Sequence, residues 1–166
     1  MTETPQQYTQ RILGYVEGQE PLAVLAATAK TLQRLIGGAP AATLRARPAP
    51  DKWSAGEIVA HLADAEIVGA FRMRFILGAP GSAVVAYDQA QWAKAGRYDT
   101  RDPHESLEQF RIVREGNLAL LASLDREQWQ HYGVHSERGR ETIETIARMF
   151  AGHDINHLRQ IEKIIA

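Results

Sequence analysis

The stretch Gly152-His153-Asp154-Ile155-Asn156-His157-Leu158-Arg159-Gln160-Ile161 lies in a segment where Ile143, Ile146, Phe150, His153, His157, Ile161 and Ile164 recur at helical spacing. Residues three and four apart stand above one another on one helix face. The spacing predicts a helix beginning near Thr142, with two imidazoles set among its apolar side chains. Burying ring nitrogens beside Ile and Phe costs free energy unless each finds a partner, and a metal ion satisfies one nitrogen on each ring. A pair at this spacing bites one divalent ion but needs at least one further ligand.

Working outward, Trp53-Ser54-Ala55-Gly56-Glu57-Ile58 reads as a helix start. Ser54 caps, Glu57 closes the capping box, and Trp53 staples against Ile58. Ile58, Leu62, Ala65, Val68, Gly69, Phe75 and Ile76 carry this helix to Gly78, with His61 in or beside the stripe. His61 lies early in its helix and the pair lies late in the last one. If the two run antiparallel, three imidazoles meet at one level, and His61, His153 and His157 become the candidate metal ligands.

Two more long helices complete the pattern. Pro21 suits a first turn, and Leu22, Leu25, Ala26, Ala29, Leu32 and Ile36 follow it to Gly37-Gly38. Asp102-Pro103-His104-Glu105 caps another helix, which runs through Leu107, Phe110, Leu118, Leu121 and Leu124. A short N-terminal helix is expected over 6–17, and connections over 39–52, 78–102 and around 125–141, where Asp125 caps a short turn. The strand signal is thin, since Ala83-Val84-Val85 is too short to found a sheet. The expectation is an all-α, four-helix bundle forming one domain over 1–166, in which the long 78–102 link lets the second and third long helices run parallel.

Bulk properties exclude several classes. A formal charge of −1 gives no excess of cations for a nucleic-acid backbone. No apolar run is long enough to span a membrane. The N-terminus lacks the basic and apolar regions of a signal peptide, which favours the cytoplasm. Cysteine is absent, so any metal is held by nitrogen and oxygen and any thiol chemistry must be borrowed.

Other polar residues have competing readings. Glu57, Asp64 and Asp154 are candidate catalytic carboxylates, as fourth ligand, ligand-orienting partner or general base. Otherwise Glu57 is a cap, and Asp64 and Asp154 are solvated helix positions. Gln160, one turn beyond His157, orients a ring or cross-links helices. Arg72, about 16 Å along the helix from His61, is expected to pair with a carboxylate such as Asp88. His104, His131 and His135 read as ordinary polar residues, Gly133 arguing against a helix between the last two.

Taken in order, Trp53-Ser54, Glu57-Ile58-Val59, His61-Leu62-Ala63-Asp64-Ala65-Glu66, Arg72, Tyr87-Asp88 with Trp92, Arg114 and His153-Asp154 through His157-Leu158 to Gln160-Ile161 resemble the DinB-like superfamily. The likeness runs from about Tyr8 to Ile161. It implies an up-down-down-up bundle and a divalent ion (zinc, nickel or iron) on His61, His153 and His157. It further implies a homodimer and, by analogy with thiol-dependent members, a low-molecular-weight thiol such as bacillithiol or mycothiol. Three functions follow as alternatives: thiol transfer to, or isomerisation of, a small electrophile; hydrolysis by metal-activated water; or a non-catalytic metal-binding or structural bundle.

Overall fold

Local chemistry sets where the helices begin. A computed structural model describes residues 3–166 of the chain. Helix α1 (Pro5–Tyr15) opens on a capping box between Thr4 and Gln7, and α2 (Pro21–Gly37) on its proline. Helix α4 (Ala55–Gly78) has the Ser54–Glu57 capping box. Helix α6 (Pro103–Ala122) is capped by Asp102, and α7 (Ile143–Ile165) by Thr142. Each cap accepts from a backbone N–H that the first turn leaves unpaired, so these boundaries follow from a few adjacent residues.

Helices α2, α4, α6 and α7 form the bundle. Side-chain contacts give their directions. Glu66 of α4 meets Arg114 of α6, and Arg74 further along α4 meets Asn117 further along α6, so this pair is parallel. The Phe150 ring of α7 lies over Gly69, while His153 and the later His157 lie beside the earlier His61, so α4 and α7 are antiparallel. The order is up-down-down-up. One apolar core gathers Leu32, Ile36, Ile58, Leu62, Phe110 and Ile161 near one end. Another gathers Leu25, Met73, Ile76, Leu121, Ile143 and Ile146 near the other.

The connections hold more structure than their sequences suggest. Residues 39–52 contain a one-turn helix, α3 (Ala41–Arg45), and the 78–102 link contains α5 (Gln89–Ala95), capped by Asp88. A small sheet is present where none was expected. Strands β2 (Tyr132–His135) and β3 (Gly139–Thr142) form an antiparallel hairpin, and β1 (Ala83–Val84) pairs parallel to β2. Gly133 permits this, because Val84 and Ile76 pack where its side chain would be. The sheet thereby fastens the parallel crossover to the hairpin that leads into α7.

Helix α1 docks on α7 through a gap that only glycine leaves. A Cβ on Gly152 would lie 2.0 Å from the Ile12 carbonyl oxygen. Backbone cannot yield as a side-chain tip does. We therefore expect Gly152→Ala to loosen α1 and lower stability by about 1–3 kcal/mol. Urea denaturation reads the loss, and hydrogen exchange should show it concentrated in residues 5–15.

Candidate metal centre

The antiparallel α4–α7 pair brings His61, His153 and His157 to one point. Nε2 of His153 lies 3.0 Å from Nε2 of His61 and 3.1 Å from Nε2 of His157. One ligand atom from each residue falls within 4.8 Å of the others. An ion bonded to imidazole nitrogens at about 2.0–2.1 Å keeps those nitrogens roughly 3 Å apart, so the spacing fits a shared divalent ion. The donor chemistry fits as well. Gln160 Oε1 lies 2.8 Å from Nδ1 of His157, which sets the ring proton there and leaves Nε2 with a free lone pair.

Burial keeps the rings neutral. His61 is 1% exposed and its pKa is pushed down to about 3, by desolvation first and then by His157. His157 is 8% exposed and is pushed down to about 4, again by burial, although Gln160 opposes the shift. Burial and the two neighbouring imidazoles hold His153 well below its ordinary value. Trp53 packs its ring 4.9 Å from that of His61 and shields that side.

The three candidate carboxylates are all engaged elsewhere. Glu57 accepts from the Ser54 N–H and pairs with Arg47. Burial works to raise its pKa, but Arg47 and Ser54 hold it below the ordinary value. Asp64 accepts from the Tyr98 hydroxyl at 2.8 Å and from Arg101 at 2.9 Å. Asp154 is 1% exposed, not solvated, and accepts from Arg114 at 2.6 Å and Thr28 at 2.8 Å. None belongs to the imidazole group among the described residues.

Beside His153 opens a pocket of about 350 Å³, lined also by Tyr8, Ala65, Arg72, Tyr87, His135, Arg138 and Phe150. Ala65 stands one turn beyond His61, and its small side chain leaves this space. Arg72 does not pair with Asp88. It donates to the Val85 carbonyl at 2.6 Å, and its guanidinium lies 5.8 Å from the Tyr87 ring. His135, read as an ordinary polar residue, is buried on the inward side of β2 and faces this pocket. Strand alternation would have placed it there, but only once the hairpin was known. A second hollow of about 480 Å³ lies at His157, against Trp53, Ile58 and Ile164.

A helical bundle of this topology is the class to which the comparisons lead. The DinB superfamily model matches residues 25–161, and the chain belongs to that superfamily. Over 115 residues it is 24% identical to "Putative metal-dependent hydrolase BH0277" of Halalkalibacterium halodurans, covering 69% of this chain and 67% of that protein. Over 113 residues it is 25% identical to "Putative metal-dependent hydrolase YfiT" of Bacillus subtilis, covering 68% and 64%. The chain thus spans about two thirds of the length of the curated relatives it matches. The solved structure of YfiT, described as "a probable metal-dependent hydrolase with an unusual four-helix bundle topology", superposes with a TM-score of 0.82 at 20% identity. That alignment covers 98% of this chain and 88% of YfiT, and shows the same fold.

The depressed histidine pKa values predict acid sensitivity. In the unfolded chain each ring returns to about 6.5, so below that pH the unfolded state binds protons that the folded state refuses. Stability is complete above about pH 6.5 and falls as the pH drops toward the folded values, by up to about 1.4 kcal/mol per pH unit for each ring. Urea titrations of chelator-treated protein from about pH 7.5 to pH 5 should show this slope, and His61→Phe should reduce it.

Proposed function

We propose that this protein is a metal-dependent enzyme acting on a small-molecule substrate, with a divalent ion on Nε2 of His61, His153 and His157. The approach of three neutral Nε2 atoms to within 3.0–3.1 Å along the chain of rings carries the reading. Such an ion acts as a Lewis acid, lowering the pKa of bound water to about 7 or holding a thiol as thiolate. The protein's own residues do the remainder. Gln160 fixes the His157 tautomer, Trp53 shields His61, and the pocket beside His153 admits substrate from one side.

Hydrolysis is the reaction that the names of BH0277 and YfiT support. Thiol transfer or thiol-assisted isomerisation is a second reading, favoured by a particular observation. Glu57, Asp64 and Asp154 are all tied to other groups, so, among the described residues, none of the candidate carboxylates stands as a base among the imidazoles. A thiol bound as thiolate needs no such base, and a chain without cysteine would have to take that thiol from solution.

We extend the proposal to a cytoplasmic homodimer. No helix among the described residues is long and apolar enough to cross a membrane. Ile67, Phe71 and Phe75 leave an exposed apolar stripe along α4, suited to burial against a second copy. Sedimentation of the wild type should give a dimer and of Phe71→Glu a monomer; a monomeric wild type would end this part of the reading.

Metal analysis of protein purified without an affinity tag tests the centre itself. One ion per chain is expected, with loss of at least tenfold in occupancy in His61→Ala and His157→Ala. A metal-free wild type that takes up no divalent ion refutes the proposal. Consumption of small electrophiles with and without added thiol then separates the two reactions, since turnover independent of thiol leaves hydrolysis alone.

A further inference from the structure

The pocket beside His153 contains a cation with no carboxylate of its own. Arg72 is half-buried and, among the described residues, makes one hydrogen bond, to the Val85 carbonyl, and no ion pair. The other charges nearby are accounted for. Arg138 is held by both oxygens of the buried Glu141, at 2.6 and 3.0 Å. Glu3 is held in the same way by Arg11. Glu137 is exposed at the rim and is not among the charges acting on Arg72. Burial first and then the facing Arg138 disfavour the Arg72 cation, and Tyr87 and Glu141 offset this only in part, which is the condition that an incoming anion relieves.

A further donor points to the same kind of ligand. The backbone N–H of Glu137 donates to Nδ1 of His135 at 3.2 Å. The neutral ring therefore carries its proton on Nε2, as a donor in the pocket wall. Tyr87 also lines the pocket and presents its ring to Arg72. A guanidinium offers parallel N–H donors matched to a planar or tetrahedral oxyanion. Helix side chains lean toward the N-terminus, so Arg72 reaches back toward His61, leaving a span on the order of 10 Å to the imidazoles. A pocket of about 350 Å³ suits a small metabolite, not a macromolecule.

We propose that Arg72, assisted by His135 and Tyr87, is the subsite that binds an anionic group, carboxylate or phosphate, of the substrate or co-substrate whose reacting end lies at the histidine cluster. The assignment of the reacting end rests on the metal-centre reading above; the anion site itself does not.

Inorganic phosphate and malonate serve as probes, titrated by calorimetry into wild type, Arg72→Gln, Arg72→Lys and His61→Ala. Binding should weaken at least tenfold in R72Q and less in R72K, while metal content stays at the wild-type level. His61→Ala, which loses the ion, should keep its anion affinity within about threefold. Whichever anion binds more tightly identifies the group. In wild type, the Arg72 Nε–H resonance should shift on addition of either probe, a reading that stands even if both Arg72 variants unfold. Unchanged affinity in R72Q, a silent Arg72 resonance, or binding lost with the metal would each overturn the assignment.

Discussion

One guanidinium touches all four long helices. From α6, Arg114 donates to Asp154 of α7 at 2.6 Å, to Glu66 of α4 at 2.7 Å and to the Leu25 carbonyl of α2 at 2.9 Å. Asn117, one turn on, donates to the other Glu66 oxygen, and Thr28 of α2 reaches Asp154. The charged groups are at most 3% exposed. Taking three charges out of water costs several kcal/mol each, and their attraction roughly offsets this only because nearly every polar atom has a partner. An apolar cluster of equal volume would stabilise the bundle at least as well. What the charged cluster adds is register: only one rotation and one height of each helix satisfy every bond at once.

That register governs the imidazoles. Asp154 follows His153 directly, so fixing the carboxylate against Arg114 turns the preceding side chain about 100° away, toward α4. His157, one turn on, follows it. On α4, Glu66 fixes the rotation that presents His61, a little over one turn earlier. Both imidazole-bearing faces are thus set by one buried network that does not itself reach the ring nitrogens. Asp154, held by Arg114 and Thr28, fixes the rotation of α7 and not the ring nitrogens themselves, which accounts for a carboxylate next to His153 that stands apart from the imidazole group.

The extent to which the sequence revealed this follows from how local each determinant is. Helix starts at Ser54, Asp102 and Thr142 were legible because a cap involves three or four adjacent residues. The convergence of His61 with His153 and His157 was legible from depth along two helices, given an antiparallel pairing. The sheet was not. Its β1–β2 ladder joins Ala83 and Val84 to residues about fifty positions away, and two-residue strands carry no periodicity. Asp154 looked solvated because charged residues are usually exposed. Its burial depends on Arg114, forty residues earlier, and nothing near either residue announces the pair. The expected pairing of Arg72 with a carboxylate such as Asp88 does not form, because Asp88 spends its side chain on the start of α5.

The topology and the pocket are consequences of one another. Running α4 and α6 parallel requires a connection that travels the length of the bundle, and this chain uses 79–102 for it. A link of that length must pack against something. Here it pairs through β1 with the hairpin before α7, setting Tyr87 opposite Arg72 and His135 near Arg138. These are the walls of the space in front of His153, the most open of the three rings, while Trp53 covers His61. A tight hairpin between the second and third long helices would leave the same imidazoles with no crossover to wall the approach. The parallel crossing therefore does more than complete the fold: it walls the approach to the ring nitrogens on the His153 side, and it places a desolvated cation in that wall.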